Sequence, residues 1–392
     1  NLSLSGGNDN TTYYFSVSNV NSEGVIPNNT FDRTTFKLSA NTKLSDKFST
    51  GASVNYITSK ANRIQQGSNI SGIMLGLLRT PPTFDNSAGY EFPDGTQRNY
   101  RGGPGYDNPY WTSNNIAYKD DLHRMIGNFN INYYATPWLS FTYRLGTDTY
   151  TTSVKDQFAI NSNEYPAGRV YTDRYTSTDI NSDLLMNINT DLSQDLALGI
   201  TLGHNMYQRE TNYVNGEANG LDIPGFYNMR NSSDVIPSEG TFKKRTAAFF
   251  GDFGLSFQDM IFVNFTDRLE WSTTLPVDES PFNYWSASAG CVFTELPMLQ
   301  GNSVLPFGKL RVSYAQVAND AAAYSNATYY VQAGAGDGWS TIGMNYPFTN
   351  PLGSFSGFTY SGVLGDPLLG PELQNTFEVG ADLRFFNGRV GI

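Results

Sequence analysis

The stretch that decides the fold is MNINTDLSQDLALGITLG, residues 186–203. Two runs of alternating apolar and polar residues meet at a short polar turn, residues 193–195. Successive side chains of a β-strand point to opposite faces, so each face of this segment has one character. The pattern therefore predicts a β-hairpin. It leaves two environments open, because the apolar face can cover a protein core or can face lipid around a wet interior.

The two rows of the hairpin differ clearly in composition. The apolar row contains Met186, Ile188, Leu192, Leu196, Leu198, Ile200 and Leu202. The opposite row contains Asn187, Asn189, Asp191, Ala197, Gly199, Thr201 and Gly203. If lipid lies outside, the second row lines a lumen, and we expect Gly199 and Gly203 to leave room there for a plug or a solute.

Composition excludes several classes of protein. The net charge of −11 disfavours nucleic acid, which calls for basic patches. No apolar window of about 20 residues exists, so the sequence predicts no transmembrane helix. The mean hydropathy of −0.38 still suits a membrane β-barrel, because only every second residue of such a strand has to be apolar.

Catalytic and metal-binding motifs are missing from the sequence. The two histidines, His123 and His204, both lie in strand-like runs, and the single cysteine is Cys291. The acidic residues Asp85, Asp94 and Asp107 are scattered, without a spacing that suits metal coordination. We therefore predict no enzyme activity, no cofactor and no metal site.

The hairpin pattern recurs along the whole chain. It predicts roughly 14 strands of about 9–14 residues, the length that a tilted strand needs to cross a bilayer. Short turns of a few residues alternate with long connections, at about 60–120, 151–176, 208–240 and 319–371. Helix is predicted only over residues 68–79. All long connections then leave from one end of the sheet, as in an outer-membrane barrel with short periplasmic turns and long extracellular loops.

Charges on the polar row also favour a barrel over a dry sandwich. The residues predicted to line the lumen are Arg144, Asp148, Arg268, Glu270, Arg311 and Glu378. We expect the first four to pair with one another rather than to bind a solute. Asp267 falls on the apolar row, so it requires a bulge or a position above the membrane. The alternative is that all these charges lie on the solvated face of a soluble sheet.

Three segments resemble a known family. They are GDFGLSFQDMIFVNFTDRLEWSTTL (251–275), GKLRVSYAQVAND (308–320) and LLGPELQNTFEVGADLRFFNGRVGI (368–392). These segments look like barrel strands of TonB-dependent outer-membrane receptors, most of all the SusC/RagA-like nutrient transporters of Bacteroidetes. The resemblance runs from end to end in family order. It departs at Glu270, where Asp is expected, and at Ala315, where Gly is expected.

The resemblance implies an all-β fold, an antiparallel transmembrane β-barrel in the cell outer membrane. This chain (residues 1–392) would supply roughly 14 of about 22 strands, and the N-terminal plug and the C-terminal strands would lie outside it. Both ends look as if they are cut within a strand. The family also implies a SusD-like surface lipoprotein and energy from the TonB–ExbB–ExbD system, reached through the missing N-terminal part.

The function implied is active import of a nutrient, an oligosaccharide or glycan first and a peptide second. Aromatic faces and flanking polar groups in the long connections are the expected binding groups. The candidates are Tyr90, Tyr100, Arg101, Tyr110, Trp111, Tyr227, Arg230 and Trp339. The alternative function is a secreted or surface β-protein, an adhesin or lectin, that binds carbohydrate without transport.

Overall fold

Most of the chain is paired β-structure. The structure, a computed structural model, describes residues 1–65, 71–102, 105–332, 334–335, 346–347 and 358–392. The strands in chain order are β1 (Leu2–Gly7), β2 (Thr11–Glu23), β3 (Thr30–Lys43), β4 (Phe48–Arg63), β5 (Ile116–Thr136), β6 (Leu139–Phe158), β7 (Arg169–Asp191), β8 (Leu196–Asn219), β9 (Asp234–Phe257), β10 (Ile261–Ser272), β11 (Phe282–Val292), β12 (Phe307–Asn319), β13 (Tyr330–Gln332), β14 (Gly334–Ala335), β15 (Tyr346–Pro347), β16 (Phe358–Tyr360), β17 (Glu372–Phe385) and β18 (Val390–Gly391).

Sheet topology follows chain order. Within the described residues, β1 to β12, β17 and β18 form one sheet in which sequence neighbours are also neighbours in space. Two small sheets pair β13 with β16 and β14 with β15. The all-β, antiparallel class predicted from the alternation is thus confirmed.

Among the described residues, α-helix is limited to two short segments, α1 (Ile73–Arg79) and α2 (Pro109–Asn115), both between β4 and β5. The predicted helix over 68–79 is found from Ile73 onward, and residues 66–70 lie outside the described residues. Periodicity alone did not indicate α2, because seven residues make only two turns. In the part of the chain that the structure describes, no helix is long and apolar enough to cross a membrane.

The chain divides into two compact units. The first comprises residues 1–134, 142–182 and 208–243, and the second comprises residues 135–141, 183–207 and 244–392. Each unit contains strands with one apolar and one polar row, and the register between neighbouring strands brings apolar residues opposite apolar residues.

In the first unit the apolar row crosses several strands without a gap. Leu4 pairs with Phe15, Phe15 with Leu38 and Leu38 with Val54. All four side chains are exposed, with Leu38 at 57 %. Directly opposed side chains point to the same face of a sheet, so these residues form a continuous apolar band on one side.

The second unit has an equivalent apolar band. Leu255 pairs with Val263, Val263 with Ala289, Ala289 with Val312 and Val312 with Val379. The four large side chains of this band are again exposed. Such large exposed apolar patches mark contact with another molecule or with a membrane, because soluble monomers rarely carry them.

Strands β7, β8 and β9 are much longer than the alternation predicted. They contain 23, 24 and 24 residues, whereas the sequence indicated about 9–14 per strand. The predicted connections at 151–176 and 208–240 are correspondingly too long, since the structure leaves only residues 159–168 and 220–233 unpaired there. The boundary was missed because the apolar alternation fades before the backbone pairing ends.

Short and long connections alternate as predicted, with one exception. The short turns are residues 8–10, 44–47, 137–138, 192–195, 258–260 and 386–389. The opposite end of the sheet carries residues 24–29, 64–115, 159–168, 220–233, 273–281 and 320–371. The exception is residues 293–306, a longer connection at the short-turn end that includes the 3₁₀ turn Phe293–Glu295.

Asp267 sits on the apolar row without a bulge. Its strand keeps an unbroken register with both neighbours, in which Asp267 lies opposite Gly251 and Trp285. The carboxylate accepts a hydrogen bond from Asn283 Nδ2 at 2.7 Å. The bulge predicted as one explanation is therefore wrong, and a position beyond the apolar band remains as the other.

The two rows of the opening hairpin predict opposite responses to an added charge. We expect Leu198→Arg to impair membrane assembly of the full-length protein by about 2–4 kcal/mol, the cost of a cation on a lipid-facing strand position. Thr201→Arg is the matched control, because Thr201 lies on the polar row and donates to Asn187 Oδ1 at 3.1 Å. The measurement is the amount of folded protein in the outer membrane, and the reverse ranking of the two variants would overturn the assignment of faces.

Candidate functional site

The connection between β4 and β5 is a folded unit and not a simple loop. Helix α2 begins after Asn108, whose side chain accepts a hydrogen bond from the backbone N–H of Tyr110 at 2.9 Å. Proline at the first helical position, Pro109, suits a site where no N–H is needed. Asn108 thus caps the helix in the way expected of a buried asparagine.

A buried carboxylate ties this connection to its neighbour. Asp107 is 3 % exposed and accepts hydrogen bonds from Ser71 Oγ at 2.6 Å and from Gln97 Nε2 at 2.6 Å. From residues 159–168 it accepts bonds from Ser162 Oγ at 3.0 Å and from both the backbone and side-chain nitrogens of Asn163. A buried carboxylate is tolerated only with such a set of partners, so Asp107 fixes the two connections together.

An apolar core lies beside the Asp107 network. Trp111, Ile116, Phe158 and Ala159 are buried, and Tyr90, Tyr165 and Tyr227 pack against them. We call the residues of 71–102, 105–115, 159–168 and 220–233 the loop assembly. Three of the predicted binding residues, Tyr90, Trp111 and Tyr227, therefore meet within the core of this assembly.

Burial limits the contact that these residues can make with a solute. Trp111 is 1 % exposed, so its ring offers no free face to a solute in this structure. Burial also raises the pKa of the Tyr227 hydroxyl, and that of Tyr165, which keeps both groups neutral. Their present contacts are those of packing residues.

Four other predicted binding residues lie at the surface of the loop assembly. Tyr110 is 41 % exposed, and Arg101 and Arg230 are exposed as well. The Arg101 guanidinium lies 5.8 Å from the centre of the Tyr100 ring and 5.1 Å from the centre of the Tyr106 ring. Trp339, the remaining candidate, lies outside the described residues.

Sequence reasoning did not indicate two members of this surface cluster. The Arg79 guanidinium lies 4.8 Å from the centre of the Tyr106 ring, and the Tyr106 hydroxyl accepts a hydrogen bond from it. Arg79 belongs to α1, so its contact with Tyr106 depends on how the connection folds. No local pattern could have shown this contact. Tyr106 stands only four residues from Tyr110, so the same choice of aromatic residues in long connections could have included it.

The polar row of the second unit carries the predicted pair Arg268 and Glu270. Arg268 Nε donates to Glu270 Oε2 at 2.7 Å, as predicted, and Tyr284 donates to the same oxygen at 3.0 Å. Arg268 also donates to Asn205 and lies 5.6 Å from the centre of the Phe250 ring. These charges are held by protein partners.

The Phe250 ring also corrects the expectation for Gly203. A side chain added at Gly203 would begin 2.1 Å from Phe250 Cζ, so the ring already fills this space. The prediction that Gly203 leaves room for a plug or a solute is therefore wrong. At Gly199 the nearest atom is Asn189 Oδ1 at 3.4 Å, an ordinary contact distance.

The other charged residues predicted for the lumen also lie on the polar row. Asp148 accepts two hydrogen bonds from Arg124, one of them at 2.8 Å to Nε. Sequence reasoning named Arg144 as its neighbour and missed Arg124 on the adjacent strand. Arg311 lies 3.6 Å from Asp382, and Glu378 stands opposite Ser313.

A large hollow lies along the polar row of the second unit. Its volume is about 1120 Å³, and small residues such as Gly199, Gly254 and Gly290 line it beside Lys309 and Glu378. Small side chains widen the space, and charged side chains, which also include Asp191 and Arg311, make its lining polar. Within the described residues, no group of three or more His, Cys, Asp or Glu side chains is placed to hold a metal ion.

A second buried carboxylate anchors the connection after β12. Asp320 accepts hydrogen bonds from Lys244 Nζ, Ser272 Oγ and Thr274 Oγ1. Burial raises the pKa of Asp320, but the bonds from these three partners lower it by more, so it lies below the usual 3.8. The network fixes the ends of β10 and β12 to Lys244, inside β9.

Comparison with known proteins gives consistent results. No protein-family model matches the chain. A curated protein, TonB-dependent receptor P26 of Formosa agariphila, is 22 % identical over 99 % of this chain and 38 % of its own length. The chain is similar to TonB-dependent receptors from end to end. It spans less than half of this relative.

Solved structures show the same receptor fold. The RagAB peptide transporter matches with a TM-score of 0.82 and 16 % identity, over 99 % of this chain and 42 % of that one. The siderophore receptor PiuA of Acinetobacter baumannii matches with a TM-score of 0.54 and 11 % identity, over 99 % and 53 %. The resemblance to SusC/RagA-like TonB-dependent receptors read from the sequence is thus confirmed.

Removing the Asp107 charge should loosen the loop assembly. Asp107→Asn replaces one acceptor oxygen by a donor that faces other donors, and each buried group left unpaired costs about 1–3 kcal/mol. We expect faster proteolysis and hydrogen exchange in residues 71–115 and 159–168, with the strands unchanged. Asp94→Asn is the control, because the Asp94 side chain bonds only within its own exposed turn. Equal protection in both variants would contradict the role given to Asp107.

Asp320 should make the connection between β10 and β11 sensitive to acid, because it holds Ser272 and Thr274 there. Because its folded-state pKa is lowered, its bonds contribute stability above the usual value of 3.8 and lose it as the pH falls through the lowered pKa. We expect amide exchange in residues 272–281, corrected for intrinsic rates, to rise as the pH falls below about 4. Asp320→Asn should show rapid exchange already at neutral pH and no further acid step. A wild-type acid step that persists in this variant would assign it to another group.

Proposed function

We propose that this chain forms part of the barrel of a TonB-dependent outer-membrane transporter that actively imports a nutrient. The observation that carries the proposal is the match to the RagAB transporter fold over 99 % of this chain, whose main sheet pairs its strands in chain order. The functional unit includes the strands and plug outside this chain, because an open sheet edge in hydrocarbon would leave backbone groups unpaired.

The two rows of the strands then take different roles. The apolar bands of both units meet lipid, and the polar rows line the lumen. Polar-row charges such as Arg268 and Glu270 are paired with each other, which suits a structural role in the wall. The hollow beside Lys309 and Glu378 gives a plug or a moving solute room along the wall.

The end of the sheet with the long connections is extracellular in this proposal. The loop assembly exposes Arg101 and Tyr110, with the half-buried rings of Tyr100 and Tyr106 beside Arg101, on a base formed by the Trp111 core and the Asp107 network. Tyrosine rings stack on sugar rings, and an arginine between them bonds hydroxyl or carboxylate groups. The cargo is accordingly an oligosaccharide, with a peptide as the second candidate because the RagAB match is named a peptide transporter.

Two partners belong to this proposal. A SusD-like surface lipoprotein covers the extracellular end and holds the solute over the loop assembly. The TonB–ExbB–ExbD system supplies energy through the N-terminal part outside this chain. No residue of the site carries out catalysis in the proposal, since the charged groups described at the polar row have structural partners.

The rival function is a surface adhesin or lectin without transport. The exposed apolar bands favour the transporter, because a secreted soluble protein would leave them in water. Detergent separates the two functions: the full-length protein should be extracted from outer membranes only with detergent. A protein freely soluble without detergent would overturn the transporter proposal.

Uptake measurements test the site itself. We expect deletion of the full-length gene, or of TonB, to abolish growth on one class of oligosaccharide or peptide supplied as the sole nutrient. Tyr100→Ala with Tyr110→Ala should weaken uptake about tenfold, since each aromatic contact contributes about 0.5–1.5 kcal/mol. Tyr134→Ala, an exposed tyrosine at the short-turn end, is the control for loss of a ring. Unchanged uptake in the double variant at equal protein level would exclude this surface as the binding site.

A further inference from the structure

A second concave site lies in the first unit, on the side of the sheet that carries the apolar band. It is a groove of about 630 Å³ over strands β3 to β8, lined by Asp32, Lys60, Lys119, Lys155, Arg174 and Val214 among others. These side chains share the face of the apolar row, because they stand an even number of residues from its members on each strand.

The groove lies directly beyond the apolar band. Phe36, Tyr56 and Met125 form the last apolar cross-strand row, and Asp32, Lys60 and Asp121 form a charged row four residues further along the strands. Four residues of strand span about 13 Å. The groove therefore begins where, in the proposed membrane orientation, hydrocarbon gives way to lipid head groups.

A chain of polar contacts links the band to the groove. The Tyr56 hydroxyl and His123 Nδ1 are 2.8 Å apart, and His123 Nε2 lies 3.3 Å from Asp121 Oδ1. Asp121 in turn lies 3.6 Å from Lys60 Nζ. Three of the four acids that line the groove have partners, since Asp32 accepts a hydrogen bond from Asn21 and Asp120 is paired with Arg63. The fourth, Asp173, follows Thr172 and precedes Arg174, so it belongs to the opposite row of β7.

Three cations of the groove have no such partner. Among the described residues, no ion pair or hydrogen bond engages the side chains of Lys119, Lys155 and Arg174. In a chain with a net charge of −11, three cations without a counter-ion in one groove indicate an anionic ligand.

The strand register brings these cations together. The hydrogen bond from Thr142 to Asn132 and the contact of Gly127 with Thr147 fix the pairing of β5 with β6, which places Lys155 opposite Lys119. Like charges directly opposite each other destabilise a sheet unless an anion lies between them.

Arg174 completes the group from the next strand. The hydroxyl pairs Thr149–Thr178 and Thr151–Thr176 fix the register of β6 with β7. That register sets Arg174 beside Ser153, one step along the same face from Lys155. Three neighbouring strands therefore carry three cations at adjacent positions on one face, all of them lining the groove.

We propose that this groove binds the phosphate group of a lipid head group in the outer leaflet of the outer membrane. The inference rests on the proposed function, because it requires the apolar band to face lipid. Acyl chains would lie against the Phe36 row, and the phosphate would sit between Lys119, Lys155 and Arg174. A solute in the lumen would not reach these groups, which are on the opposite face of the strands.

Lipid binding to the full-length protein tests the proposal. The probe is lipid A from the host's own outer membrane, a phosphorylated glycolipid, compared with the same lipid after enzymatic removal of its phosphates. Protein in detergent is titrated with each lipid, and native mass spectrometry counts bound molecules. We expect the phosphorylated lipid to bind and the dephosphorylated lipid to bind at least about tenfold more weakly.

A triple substitution tests the residues. Lys119→Gln, Lys155→Gln and Arg174→Gln together should weaken lipid A binding about a hundredfold, since each basic residue at an anionic surface contributes roughly a factor of five. The charge-matched control replaces Lys43, Lys47 and Arg389, which lie at or near the short turns. The control should retain wild-type binding, and both variants should reach the membrane in equal amounts.

The outcomes separate this inference from the proposed function. Equal lipid A binding by the wild type and the groove variant, or equal binding of the dephosphorylated lipid, overturns the inference and leaves transport untouched. A groove variant that keeps lipid A but loses nutrient uptake also overturns it, because the groove would then serve cargo. A full-length protein soluble without detergent would instead remove the proposed function itself.

Discussion

Backbone pairing is the constraint on which the rest of this structure depends. Strands that cross a nonpolar layer must satisfy every N–H and C=O group within the sheet, because hydrocarbon offers no partner. The register of β3 with β4 meets this demand without interruption, from Thr30 opposite Asn62 to Lys43 opposite Ser49. Even Asp267, on the apolar row, leaves the ladder intact. With the backbone satisfied, the side chains of the two faces are free to meet two different environments.

Beyond the strand ends, buried carboxylates hold the connections in place by accepting several hydrogen bonds each. Asp107 accepts hydrogen bonds from neutral donors of two connections, and Asp320 accepts them from Lys244 of β9, from Ser272 at the end of β10 and from Thr274. These bonds fix connections that have little apolar surface to bury. The aromatic core around Trp111 then packs on the base that Asp107 provides. A binding surface carried by such connections is far more rigid than a loop of the same length.

The sequence was sufficient for the features that depend on local order. Alternation predicted the hairpins, the apolar rows and the alternating connections, and charge placement predicted the Arg268–Glu270 pair. It failed wherever the partner comes from a distant segment: the Arg124–Asp148 pair, the Phe250 ring above Gly203 and the Asp107 network. It also ended β7 to β9 too early, because apolar alternation reports the environment of a strand and not the extent of its pairing.

Charges on the two faces of the strands differ in whether they have partners within the protein. On the polar row, Arg268 and Asp148 have protein partners, so these two charges are neutralised within the sheet. On the opposite face, Lys119, Lys155 and Arg174 converge from neighbouring strands, against the rule that like charges avoid direct opposition. A sheet keeps such an arrangement at little cost only if an outside anion supplies the missing charge. In the proposed membrane placement, the anion nearest to these cations is the head group of a lipid.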